Sequence, residues 1–160
     1  MPSLRLHIVG DRAIQVNILH AFDAHAGAQR VAATLVAGLR SRGCVVRLRL
    51  GFGTIGFLSE VDGLSRFMRL NQPLARKLFY PIWLLVENLR TCALLASRSV
   101  LWLNAVYAVP AGLPALVLAP RRAVIHVHET RVPGPLLRLI AWAGRRGATV
   151  RLSRPITCGC

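Results

Sequence analysis

Residues 14–43, IQVNILHAFDAHAGAQRVAATLVAGLRSRG, decide the fold. The first seven are mostly apolar and β-prone, as in a parallel strand buried on both faces. A short loop over 21–27 carries Asp23 and His25 and ends in Gly27. From Ala28 the period changes. Ala28, Val31, Ala32, Leu35, Val36 and Leu39 share one helical face, and Arg30, Thr34 and Ser41 lie off it. Gly43 stands where a left-handed residue most easily ends a helix. Val45, Val46, Leu48 and Leu50 supply the next strand. The unit is strand, loop, helix, strand, with its loop at the carboxyl edge of the sheet, where open α/β folds bind ligands.

The same alternation continues downstream. Strands are predicted near 99–103, 123–128 and 148–152, with helices over 74–97, 111–118 and 136–145. A length of 160 residues favours one domain, and 54% hydrophobic residues exclude a mainly disordered chain. The expected fold class is α/β: a Rossmann-like, mainly parallel sheet with right-handed crossovers and helices on both faces, over residues 14–153. Residues 1–13 read as a loose N-terminal arm and 154–160 as an irregular tail.

Two stretches invite over-reading. Gly51-Phe52-Gly53-Thr54-Ile55-Gly56 has the form of a dinucleotide fingerprint directly after a strand. That fingerprint needs a helix opening inside it and a second strand ending in an acidic residue about 20 positions on. Leu70, Asn71, Gln72 and Pro73 occupy that region, with no carboxylate and no predicted strand. The segment therefore reads as a mobile glycine-rich loop. Residues 74–97 are helical and unusually apolar, but Pro81, Glu87, Asn88 and Arg90 argue against a membrane span. Arg76, Tyr80, Glu87, Arg90 and Thr91 can share a polar side, leaving Phe79, Ile82, Leu85, Val86 and Leu89 for a core. The alternatives are an interfacial helix or interdomain packing.

The formal charge is +15, from 21 basic and six acidic residues, and Lys77 is the one lysine. The arginines are spread along the chain. They suit a solvated basic surface or peripheral contact with an anionic membrane; nucleic acid is disfavoured as the main partner. Nothing near the start has the pattern of a cleaved signal, so the expected location is the cytoplasm, with peripheral attachment at the inner face of the membrane as an option. Cys44 and Cys92 lie in apolar surroundings, where buried reduced thiols are expected, and Cys158-x-Cys160 lacks partners for a metal site.

Three positions converge on the carboxyl edge: 23–27, Asn104 and 128–130. Gly27 permits close approach of a phosphate, and the amides opening the next helix favour negative charge. A strand puts His126 and His128 on one face and turns Glu129 away. Three readings of His126-x-His128-Glu129 stay open: a metal pair, structural histidines, or a polar contact to a sugar or leaving diphosphate.

The segment AGAQRVAATLVAGLRSRGCVVRL (26–48) resembles the Gly-Gly-Ala-Glu-Arg segment that opens family 4 glycosyltransferases of the GT-B fold. VIHVHET (124–130) resembles the His-containing strand end of the same domain. The resemblance implies the N-terminal, acceptor-side domain of a retaining transferase. Such an enzyme moves a sugar from a nucleotide-diphosphate donor to a hydroxyl acceptor, with the nucleotide sugar as co-substrate and no catalytic metal. It implies His128 as the catalytic histidine, Gly27 facing the donor diphosphate, and Glu129 and Thr130 shaping the acceptor pocket beside Asn104. The family's donor-domain motifs, an Arg/Lys pair and two glutamates seven residues apart, find no match here. The chain thus reads as truncated before the donor-binding domain, inactive alone, with that domain supplied in trans. The rival reading is a non-catalytic basic Rossmann-like module that binds a partner protein, anionic membrane or nucleic acid.

Overall fold

The computed structural model describes residues 13–23, 27–54, 56–129, 131–153 and 157–159. Residues 1–12 of the expected arm (1–13) lie outside them. The chain opens with β1 (Gln15–Phe22), α1 (Gly27–Arg40) and β2 (Val45–Phe52), followed by β3 (Leu64–Met68) and the long α2 (Pro73–Leu95). It continues with β4 (Val100–Asn104), a 3-10 segment (Val106–Gly112), α3 (Leu113–Leu118) and β5 (Ala123–Val127). β6 (Arg131–Pro133), α4 (Gly134–Arg145), β7 (Thr149–Leu152) and β8 (Thr157–Gly159) complete it.

Six strands form one sheet in the order β3-β2-β1-β4-β5-β7, and every neighbouring pair is parallel. The α/β, Rossmann-like reading therefore holds. Strand order reverses between β1 and β4, which makes their carboxyl ends the topological switch point. Alternate residues of β1 feed two cores. Val16 and Ile18 meet Ala32 and Val36 of α1 on one face. Leu19 and Ala21 join Trp83 of α2, Leu116 of α3 and Ile140 of α4 on the other.

Three expectations need correction. First, β3 was not foreseen: Leu64–Met68 pairs in parallel with β2 at the sheet edge. Its half-buried, weakly alternating sequence LSRFM gives little strand signal because an edge strand has one paired neighbour and a wetter face. Between the glycine-rich segment and β3, Asp23 accepts hydrogen bonds from the Leu58 amide at 3.1 Å and the Ser59 hydroxyl at 2.5 Å.

Second, α2 is rotated from the face expected: Phe79 packs against the core and Val86 is half-buried, but Ile82, Leu85 and Leu89 point outward. Trp83, Glu87 and Thr91 are buried, whereas Leu74, Leu78, Ile82, Leu85 and Leu89 are exposed, Leu78 by 71% and Leu85 by 62%. The surface beneath the helix explains the rotation. Glu87 pairs with Arg49 of β2 at 2.9 Å, Thr91 donates to the Ala111 carbonyl at 3.3 Å, and Asn88 donates to the Pro110 carbonyl at 3.1 Å. Cys92 goes with the outer face and is exposed, contrary to its expected burial.

Third, the tail contains β8, which pairs in parallel with β6 in a separate two-stranded sheet. Arg131–Pro133 leaves β5 with free edge groups, and the short segment at Thr157–Gly159 satisfies them.

Candidate functional site

Strand register lines up three polar side chains at the switch point. His20 of β1 is the partner of Asn104 of β4, and Asn104 is the partner of His126 of β5. Same-register residues on parallel neighbours share a face, so the three stand in a row. His128, just past β5, lies against His126 with ring centroids 3.9 Å apart and the rings tilted by 46°. Ser153, just past β7, completes the group.

These groups form one hydrogen-bonded chain whose direction can be derived. Asn104 Nδ2 lies 3.2 Å from the Ala28 carbonyl oxygen, which can only accept, so this end of the amide is the donor. The same nitrogen donates to His20 Nδ1 at 2.9 Å. Asn104 Oδ1 then accepts from His128 Nε2 at 3.0 Å. A neutral His128 with its proton on Nε2 keeps a lone pair on Nδ1, and Ser153 Oγ donates to it at 2.9 Å. Ser153 in turn accepts from His126 Nε2 at 3.0 Å. Donation runs from His126 through Ser153, His128 and Asn104 to His20.

The direction requires neutral imidazoles, and the surroundings keep them so. Burial lowers His20 to about 4, although Asn104 and Asp23 pull the other way. His126 is lowered to about 4 by burial first, then by His128 and Arg151. Burial lowers His128 as well. In this tautomer His126 Nδ1 carries a lone pair, and among the described residues it is buried without a partner.

The sequence-predicted residues fall into distinct roles. Gly27 is the first residue of α1, exposed, with nothing within 4 Å of where a Cβ would sit. Asn104 is fully buried and its amide is spent on protein partners, so it is the hub of the chain. Glu129 is tied to the backbone, accepting from the Val106 amide at 3.2 Å and the His128 amide at 3.1 Å. Thr130 lies outside the described residues. His128 is half-buried with both ring nitrogens engaged. Among the described residues no group of three His, Cys, Asp or Glu side chains could hold a metal ion, so the metal reading of His126 and His128 finds no third ligand there.

Sequence reasoning missed three participants. His20 ends an apolar strand and looked like its filler, and Ser153 is separated from His128 by α4. Both sit at carboxyl ends of strands, the signal that topology supplies. The third is an aromatic cleft of about 450 Å³ lined by Phe22, Arg76, Lys77, Tyr80 and Tyr107. Tyr80 donates to the Tyr107 carbonyl at 2.6 Å, and burial pushes its hydroxyl up to about 12. In comparison with known proteins, the chain matches no protein-family model and no curated protein.

Proposed function

We propose that this domain is the acceptor-side half of a retaining glycosyltransferase, moving a sugar from a nucleotide-diphosphate donor to a hydroxyl acceptor. The observation that carries the reading is the state of His128 Nδ1, a lone pair held by the hydroxyl of an exposed serine. A substrate hydroxyl takes the place of Ser153 like for like, donating to the same nitrogen. Asn104 fixes the other end of the ring, so the vacated lone pair keeps its direction. The start of α1 at Gly27, with open space where a Cβ would sit, offers the positive end of a helix dipole to the leaving diphosphate. The likeness of residues 26–48 and 124–130 to family 4 glycosyltransferases supports the same assignment.

Transfer needs the donor held against the acceptor, and positioning is worth roughly 7–11 kcal/mol of a barrier. The test supplies a family 4 donor domain by fusion or in trans and assays sugar transfer. Activity that appears only then, and falls about 100-fold or more in His128→Ala, is the expected result. Robust transfer by the 160-residue chain alone, or indifference to His128→Ala, overturns it.

The exposed row on α2 favours peripheral attachment to an anionic bilayer as part of this reading. Leu74, Leu78, Ile82, Leu85 and Leu89 face outward, and the helix's one acidic residue, Glu87, is buried beneath them. α2 is long and apolar enough to cross a membrane by length and composition. Its polar face is already packed on the sheet, however, which suits lying on a surface. Vesicles containing anionic lipid should co-sediment the protein, and a Leu78→Ser, Leu85→Ser variant should stay in solution. Equal sedimentation of the two proteins, or a stable dimer that the variant dissociates, removes the membrane.

A further inference from the structure

The sheet face beneath α2 holds a second polar cluster, separate from the histidine chain. Asn17 of β1 is the register partner of Arg47 on β2, and Arg49 is the partner of Ser65 on β3. α2 lays Glu87 and Arg90 over this group. Asn17, Arg47, Arg49, Ser65 and Arg90 line a cleft of about 510 Å³. That volume is the size of a small-molecule site. Asn17 lies three residues before His20, so its side chain leaves the sheet on the opposite face.

Charge and hydrogen bonding inside the cleft do not balance. Three guanidinium groups face a single carboxylate. Glu87 is 1% exposed and already engages Arg49 Nη1 at 2.9 Å and Arg90 Nη1 at 2.8 Å. Asn17 is also 1% exposed, and its Nδ2 has no partner among the described residues. Arg49 Nε and Nη2 are likewise buried and unpartnered. A buried donor is destabilising where nothing accepts from it. Burial holds the Arg49 guanidinium below its ordinary value; Glu87 opposes that shift, and Arg90 and Arg47 add to it.

We propose that this cleft binds a phosphate oxyanion, with Asn17 and Arg49 as its buried floor and Arg47 and Arg90 as its rim. A phosphate group supplies what is missing, several acceptor oxygens and about two negative charges, and a guanidinium fork matches its geometry. Two sources share this chemistry, a soluble phosphate ester and a phospholipid headgroup. The cleft borders the outer face of α2 through Ala93, which favours neither by itself. The assignment stands independently of the glycosyltransferase reading, because it uses no residue of the carboxyl edge.

The experiment follows the Asn17 side-chain amide by NMR in the full chain, at constant ionic strength, with two titrants. One is glycerol 3-phosphate and the other is bicelles carrying phosphatidic acid. A saturable shift of that amide is expected, with affinity falling about tenfold in Arg47→Gln. Arg47 is exposed, so its loss leaves the fold intact. Arg138→Gln removes the same charge from an exposed position on α4 and should change affinity less than about twofold. The titrant that saturates at lower phosphate concentration identifies the source. An unmoved Asn17 amide with both titrants, or equal weakening by Arg47→Gln and Arg138→Gln, overturns the site.

Discussion

Ala105 has φ 76° and ψ 151°, a backbone region that is close to glycine-only, and among the described residues no other non-glycine has positive φ. It sits directly after Asn104, and its neighbours hold it there. Its amide donates to the His126 carbonyl at 2.9 Å, and the next amide, at Val106, donates to Glu129. Ala105→Gly should therefore stabilise the domain by about 1 kcal/mol in urea denaturation. Glu129→Ala strands two amides and should cost about 2 kcal/mol. The buried histidines give a pH dependence with a definite sign. His20 titrates near 4 in the folded chain and near 6.5 when unfolded, so the unfolded state binds more protons in between. Stability from this group is complete above about pH 6.5 and is lost as pH falls towards 4, by up to about 3 kcal/mol. Urea denaturation at pH 7 and pH 4.5 should show a smaller acid loss in His20→Gln. An equal loss in both proteins excludes His20 as the cause.

At the scale of elements, Gly51 at the end of β2 and Gly53 just past it serve packing. A Cβ on Gly51 would lie 2.5 Å from the Ala21 carbonyl oxygen and 3.0 Å from Trp83, and Gly53 (φ 115°) meets Asp23 at 2.9 Å. Gly51→Val should cost at least about 2 kcal/mol by overpacking, measurable as a lower Tm; an unchanged Tm would contradict the contact. The same elements show what the sequence discloses. β1, α1 and β2 were legible because each has one dominant period and a buried destination. α2 was legible as a helix but not in its orientation, since its apolar residues mark a face without saying what lies opposite. Arg49 and the carbonyls of the 3-10 segment decide that, and they come from 24 residues before α2 and from beyond its end. The candidate site was legible as strand ends and as His128. Its hydrogen-bond chain was not, because His20 and Ser153 enter it only once strand order is known.

For the whole molecule, the pairing of β1 with β4 joins parts of the chain far apart in sequence. The Asn104–His20 contact spans 84 residues. Closing a loop of that length costs about 4 kcal/mol of chain entropy, (3/2)RT ln n. By contrast, β1, α1 and β2 need only a local crossover, and they bring their own small core of Ile18, Val36 and Leu48. This difference predicts an order of folding in which the β1–α1–β2 unit forms the nucleus and the β4–β5–β7 half docks onto it late. Val46→Ala should then mainly slow refolding, whereas Ile125→Val should mainly speed unfolding. The reverse pattern in stopped-flow kinetics would place the nucleus in the other half. Because the histidine chain draws His20 from the early half and His126, His128 and Ser153 from the late one, it is assembled in the last step, and its formation reports the arrival of the native state.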